Sequence, residues 1–236
     1  MQSLAIATGA HPIEPSAFRN LPPSRGPRPA PQDVLRGLQP IAVVTPCEAG
    51  HAIFREGDPA THWYQVATGA LRSCKLLADG RRQIGEFLLP GDVFGFEVGD
   101  AHTLDVEALG HASVTRFSRG RIRLLLETRP ELAARLPQLA FETTARAHAR
   151  LLVLARQTAQ ERVVGFVLEM ARRLAVGGSD FVLPMNRNDI ADYLCLTIET
   201  VCRVIADLKR DGLIQATSAQ HIAILDRAAL ERLAVA

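Results

Sequence analysis

Two residues four places apart, Glu199 and Arg203, carry the chemistry this chain offers most plainly. On a helix, side chains at that spacing are neighbours on one face. A carboxylate there can accept from cytosine N4, and a guanidinium can bond guanine O6 and N7 together, so the pair can read one G·C step from the major groove. Cys202 and Ile198 share the same helical turns and are candidates for the same base-edge surface. The plainer alternative is an exposed Glu–Arg pair worth only a few tenths of a kcal/mol. The flanking residues decide between the two.

Those residues must be held by the stretch Met185 to Ile214, MNRNDIADYLCLTIETVCRVIADLKRDGLI. Asn186 suits a helix cap with Asp189 in the first turn, and Ile190, Ala191 and Leu194 form an apolar stripe at helical spacing. Cys195-Leu196 makes a tight turn. Thr197 then caps a second helix whose inner face is Val201, Val204, Ile205 and Leu208. Its outward face carries Glu199, Cys202, Arg203, Ala206 and Arg210. Thr197, Thr200, Arg187 and Arg210 are the candidates for holding the DNA backbone. Gly212 and two short strand patterns, 213–216 and 221–225, complete a winged helix-turn-helix outline. A separate helix over 158–175, with Val163, Phe166, Val167 and Met170 facing inward, leads into it, ended by Gly177-Gly178 and followed by a strand at 181–183.

Ahead of these lies a long helix predicted from Pro137 to about Gln157, after short helices over 121–127 and 131–136 broken at Pro130 and Pro137. Along it Ala140, Thr144, Ala147, Leu151 and Leu154 recur at spacings of four and three, a coiled-coil seam without charge. That face either joins two copies or packs on the chain's own strands. A palindromic DNA site requires a two-fold axis, which favours a homodimer. From Ile41 to about Ser118 the pattern is short strands divided by Gly57-Asp58, Thr68-Gly69, Asp79-Gly80, Pro90-Gly91-Asp92 and Gly99-Asp100, the pattern of an antiparallel roll or sandwich. Residues 1 to about 35 are punctuated by Pro22, Pro23, Pro27, Pro29 and Pro31 and are expected to be disordered.

Composition narrows the class. The chain has 236 residues, is 47% hydrophobic and carries a formal net charge of +2. That charge is mild for a DNA binder, so affinity must come from local placement of Arg and from dimerisation. No apolar run is long enough to cross a bilayer, and residues 1 to 10 lack the features of a signal peptide. Cys47, Cys74, Cys195 and Cys202 form no framework and fit a reducing cytoplasm. Cys202 is also a candidate redox group, because a helix start and the adjacent Arg203 favour thiolate. Its alternative is a small filler touching a thymine methyl. Neither a Ser–His–Asp arrangement nor paired carboxylates emerge, and no clustered metal ligands, so no catalytic or metal residue is assigned.

The run ETVCR inside DIADYLCLTIETVCR closely resembles the helix-turn-helix of the CRP/FNR family of bacterial transcription regulators, where E-[ST]-V-x-R marks the recognition helix. The phrasing FREGDPATHWYQVATGALRSCKLLADGRRQIGEFLLPGDVFGF resembles the cyclic-nucleotide-binding β-roll that precedes it in that family. The resemblance covers roughly residues 41 to 225. It implies an α+β chain with an N-terminal cyclic-nucleotide-binding-type β-roll (36–136), a long dimerisation helix (137–158) and a C-terminal winged helix-turn-helix (159–236), after the tail at 1–35. Glu199 and Arg203 match the family's base-reading pair. Cys202 stands where the FNR and FixK branches usually carry Ser. Ile198 stands where the cyclic-AMP-responsive branch has a base-contacting Arg, so the target is FNR/FixK-like, an inverted repeat of TTGA-type half-sites. Cys195 replaces the Gly usual in the turn, which costs about 1 kcal/mol if φ is positive there.

The family's ligands fare poorly on these residues. The segment GDVFGFEVGDAHTLDVEALG breaks the Gly-Glu pair that holds ribose and has no Arg between Phe94 and Gly110, while Glu97, Asp100, Asp105 and Glu107 are negative. A phosphate among carboxylates is unfavourable, which argues against cyclic AMP. The first 46 residues lack the cysteines of an iron–sulfur sensor, and haem would need His51, His62, His102 or His111. The resemblance therefore implies a non-enzyme without cofactor: an activator that binds double-stranded DNA as a homodimer and works with RNA polymerase. The alternatives are a sensor gated by haem, nitric oxide or cysteine oxidation and, remotely, a cupin-like β-barrel enzyme, which this roll's lack of an HxH pair disfavours.

Overall fold

Alternation of buried and exposed side chains along short segments builds eight strands between Ala42 and Ser118. They are β1 (Ala42–Cys47), β2 (Ala52–Phe54), β3 (His62–Thr68), β4 (Leu71–Leu76), β5 (Arg82–Leu88), β6 (Val93–Phe94), β7 (Asp105–Ala108) and β8 (Ala112–Ser118). In the computed structural model, which describes residues 36–97, 99–134, 136–156, 158–175 and 178–234, they form two antiparallel sheets. The tail at 1–35 lies outside the described residues, as do Gln157 and Gly177. One sheet has the order β1-β8-β3-β6 and the other β2-β7-β4-β5. β8 shows why it sits centrally: Ala112, Val114 and Phe117 face the interior at a spacing close to two, pairing with β1 on one edge (Ala42 opposite Phe117) and β3 on the other (Trp63 opposite Phe117). The β3–β4 turn requires glycine, since Gly69 has φ 77° and a Cβ there would lie 2.5 Å from the carbonyl oxygen of His111.

Between the sheets the space is filled by side chains. Phe54, Tyr64, Val66, Leu71, Leu88, Phe94, Val106 and Val114 form one buried cluster. The His102 ring stacks on Phe54 at 3.5 Å with planes 8° apart, and Tyr64 stacks on Phe94 at 5.2 Å. His102 is 2% exposed, and among the described residues neither ring nitrogen has a hydrogen-bond partner. Burial lowers its pKa from 6.5; the attraction of Glu97, 3.7 Å away, and of Asp58 opposes that shift, while Arg119 adds to it. The unfolded chain therefore takes up a proton at His102 before the folded chain does. Stability from this group is complete above the ordinary pKa of 6.5 and falls as pH drops below it. We expect His102→Phe to flatten the decline in melting temperature below that pH. An unchanged slope in calorimetric scans would contradict it.

The helices follow in order. α1 spans Arg119–Thr128, α2 Pro130–Ala133, α3 Leu136–Arg156 and α4 Ala159–Leu174. The expected boundaries shift slightly. The helices break at Arg129–Pro130 as expected, and Pro130 itself opens α2, as its fixed φ allows at a first helical position. Leu136, expected to end the second short helix, instead begins α3. Thr158 and Glu161 form a reciprocal capping box on α4, and Val163, Phe166, Val167 and Met170 are all buried, as the spacing predicts. The C-terminal part comprises β9 (Asp180–Val182), α5 (Arg187–Leu194), α6 (Ile198–Arg210), β10 (Ile214–Ala216), β11 (His221–Ile224) and α7 (Arg227–Leu233), with sheet order β10-β11-β9. One core links it to the roll: Cys74, Ile84, Phe87 and Leu89 pack with Phe166, Met170, Ile190 and Leu194.

Candidate nucleic-acid interface

α5 is capped by Asn186, whose side-chain oxygen accepts from Asp189 N at 2.9 Å while the Asp189 carboxylate accepts from Asn186 N. This reciprocal cap satisfies two amides that the helix itself cannot. Ile190, Ala191 and Leu194 are buried, so α5 lays this face into the core that it shares with α6. The helix ends at Cys195, which has φ 55° and ψ 45°, the left-handed conformation that glycine usually supplies. Its thiol contacts Gln83 Oε1 at 3.6 Å, a weak compensation. Cys195→Gly is expected to raise unfolding stability by about 1 kcal/mol, because glycine pays no steric cost at this φ. Denaturant titration measures it, and a loss of stability would show that the Gln83 contact outweighs the strain.

Thr197 caps α6, its hydroxyl oxygen accepting from Thr200 N at 3.3 Å. Val201, Val204, Ile205 and Leu208 are buried, and Glu199, Cys202, Arg203, Ala206 and Arg210 are exposed. The helix thus offers one polar face to solvent and anchors the other in the core. Hydrogen bonds from its own backbone N–H and the Thr197 hydroxyl hold the Glu199 carboxyl below its ordinary pKa. It is an acceptor at neutral pH. Among the described residues no ion pair joins Glu199 to Arg203. Among the described residues the Arg203 guanidinium has no hydrogen-bond or ion-pair partner.

The other candidate contacts are placed less uniformly. Ile198 is half-buried and packs against the core, since the first turn of α6 sits close to α5, so little of it is offered outward. Arg210 faces solvent but is engaged by Asp207 at 2.9 Å and Asp211 at 3.6 Å, so a phosphate would have to compete for it. Arg187 is half-buried; burial disfavours its charge, and the nearby Cys202 opposes that effect. Thr197 is exposed, while Thr200 is half-buried with its hydroxyl 3.2 Å from that of Thr197. On α3, Thr144 and Ala147 are exposed, Leu151 is 63% exposed, and Leu154 is half-buried; of Ala140 only the helical backbone is described. Phe141, 73% exposed, extends the same stripe.

A second set of residues escaped the sequence reading. Asp189 is buried, its side chain 2% exposed, and takes ion pairs from Arg72 on β4 and from Arg82 on β5, the latter at 2.7 Å. Arg82 also reaches Asp192 at 2.9 Å, and Arg72 pairs with Glu107 at 2.7 Å. The capping box already accounts for an Asp at that position, so nothing local betrays its distant partners. Arg150 on α3 donates to Ile84 O and Tyr193 O, each at 2.8 Å, with its guanidinium 4.0 Å over the Tyr193 ring. Its partners lie 66 and 43 residues away in sequence, so no local pattern on α3 signals them.

The four free cysteines divide in two: Cys47 and Cys74 are buried, Cys195 and Cys202 exposed. Burial and the neighbouring Glu107 and Asp105 push the Cys74 thiol up to about 11, so it stays protonated at neutral pH. Among the described residues no group of His, Cys, Asp or Glu is arranged to hold a metal ion, and no helix is long and apolar enough to cross a membrane.

A β-roll of this topology followed by a long helix and a winged helix-turn-helix with an exposed polar recognition face defines a DNA-binding transcription regulator. Comparison with known proteins agrees. Residues 44–129 match the cyclic nucleotide-binding domain and residues 161–233 the Crp-like helix-turn-helix domain. The nitrogen fixation regulation protein FixK of Rhizobium meliloti is 43% identical over 199 residues, which cover 84% of this chain and 89% of that protein. FixK of Azorhizobium caulinodans is also 43% identical, over 77% of this chain and 75% of its own. The structure of FixK2 from Bradyrhizobium japonicum superposes with a TM-score of 0.79 at 43% identity, covering 83% of this chain and 98% of that one. The chain belongs to the CRP/FNR family of transcription regulators, in its FNR/FixK-type branch, and is not an enzyme.

Proposed function

We propose that this regulator activates transcription by binding TTGA-type inverted repeats as a homodimer, without a small-molecule cofactor, and by contacting RNA polymerase in the cytoplasm. The observation that carries the reading is the exposed Glu199–Arg203 pair at the start of α6, an acceptor and a forked donor one helical turn apart, the pair that reading one G·C step calls for. Cys202 beside them supplies the small side chain against a neighbouring base, and Thr197 and Thr200 at the helix N-terminus suit a phosphate. Relatives support the direction of control: the 40% identical AadR of Rhodopseudomonas palustris is named a transcriptional activatory protein, and FnrL of Cereibacter sphaeroides, 32% identical, a transcriptional activator protein. The domain limits we propose are 36–136, 137–158 and 159–236.

The dimer reading rests on α3, where Phe141, Thr144, Ala147 and Leu151 leave an uncharged stripe exposed. Purified reduced protein should bind a TTGA palindrome more tightly than scrambled duplex by about 10³-fold or more at fixed salt. Equal affinities by fluorescence anisotropy would overturn the reading. Leu151→Glu places like charges across the two-fold seam and should convert a sedimenting dimer into a monomer.

A second reading adds redox gating, favoured by the exposure of Cys202 between Arg187 and Arg203. Oxidation there adds bulk at the DNA face. Peroxide should weaken operator binding by the parent chain and leave Cys202→Ser unaffected; equal loss in both removes this reading.

A further inference from the structure

We propose that Arg150, assisted by Gln83, Arg72 and Arg82, positions the recognition helix and thereby sets the half-site spacing this regulator reads. The inference rests on the dimer and inverted-repeat reading above. Two recognition helices bound to one palindrome must sit about one DNA turn apart, so the path from the two-fold axis to α6 has to be stiff.

The anchor is the C-terminus of α5. The last carbonyls of a helix have no partner within it. Here Asp192 O accepts from Gln83 Nε2 on β5 at 2.6 Å, Tyr193 O from Arg150 Nη2 on α3 at 2.8 Å, and Leu194 O from Arg162 on α4 at 3.2 Å. Three elements thus converge on three consecutive carbonyls. Along the side of the same helix, Arg72 and Arg82 from the roll clasp Asp189 and Asp192. Cys195 follows at once in a left-handed turn, and α6 begins at Ile198. Only Cys195, Leu196 and Thr197 separate the anchored carbonyl of Leu194 from the reading helix, and Leu196 N is itself bonded to Ala191 O at 3.0 Å. There is little slack.

Arg150 gives the anchor its reference to the dimer axis. It precedes Leu151 on α3, about 100° away round the helix, so that Leu151 is exposed along the seam while Arg150 reaches Ile84 O and Tyr193 O. One turn of α3 therefore touches both the proposed axis and the helix-turn-helix. Both bonds leave the one Nη2 nitrogen while the planar guanidinium lies over the Tyr193 ring, a stacking that a lysine ammonium does not reproduce.

The test is a panel of palindromes whose half-site separation is one or two base pairs longer or shorter than the best, with binding read by anisotropy. The parent chain should show a sharp optimum. Arg150→Met should lower affinity at the optimum roughly tenfold, the size of one lost charge-assisted hydrogen bond, and much less at the altered spacings, so the preference flattens. Sedimentation and the melting curve establish that the variant is a folded dimer. A merely structural role predicts a uniform loss that keeps the spacing ratio, and that result overturns the inference, as does unchanged binding. Should Arg150→Met fail to fold, Gln83→Ala removes the bond to Asp192 O more mildly and is read by the same ratio; Arg81→Ala, an exposed neighbour outside the cluster, should leave the ratio unchanged. If the parent chain binds no palindrome, the function reading fails first and takes this inference with it.

Discussion

Replacing Arg203 with alanine is expected to cost about 1–3 kcal/mol in operator binding, concentrated at one G·C step of each half-site. The reasoning starts from its surroundings. Arg203 is exposed on the polar face of α6 and, among the described residues, has no ion pair with Glu199 four places before it. Removing it should therefore leave folding stability within about 0.5 kcal/mol of the parent. The two alternatives for the guanidinium then separate cleanly. Bonded to guanine O6 and N7, it discriminates, so in the alanine variant substitutions at that base pair stop mattering while those at other positions keep their effect. Bonded to phosphate, it contributes equally to all duplexes, and its loss lowers every affinity and reduces the salt slope by about one. Anisotropy with single-base-pair operator variants at several salt concentrations decides. A uniform loss would move base reading away from Arg203 and leave Glu199 as the sole reader at that step.

What was legible in the sequence is what local periodicity controls. The inward and outward faces of α6, Val201 to Leu208 against Glu199 to Arg210, follow from a spacing of three and four, and the structure divides them along that line. The caps at Asn186 and Thr197 are equally local, because each needs only a side chain and an amide three residues on. The roll was legible as a class, through its turns, but the division of eight strands into two sheets was not. That division depends on pairings such as β2 with β7 and β4 with β7, which join residues far apart in sequence. The stacked His102 at its centre was legible only as a lone histidine. At the interface, the ion pair of Arg210 is local in the same way, because its partner Asp207 lies three residues back on the same helix. Ile198 was assigned by its place in a motif, whereas its burial is decided by the closeness of α5.

Asp189→Ala is expected to be the most damaging single substitution away from the apolar core, at about 3–5 kcal/mol of unfolding free energy. The carboxylate is 2% exposed and faces two guanidiniums whose side chains are themselves only 17% and 32% exposed. Deleting it strands both charges in a poorly solvated seam, which costs more than the pairing is worth. Relief is partial: Arg72 keeps Glu107 and Arg82 keeps Asp192, which argues for the lower end of the range. The same change removes the acceptor for Asn186 N and so half of the cap on α5, a further loss of about 0.5–2 kcal/mol at most. Asp189→Asn retains that acceptor and loses the charge, so it should fall between alanine and the parent and separate the two contributions. Chemical denaturation of all three chains reads the series directly. If alanine costs less than about 1 kcal/mol, as an exposed ion pair would, then solvent reaches the seam and the cluster does not bind the helix-turn-helix to the roll.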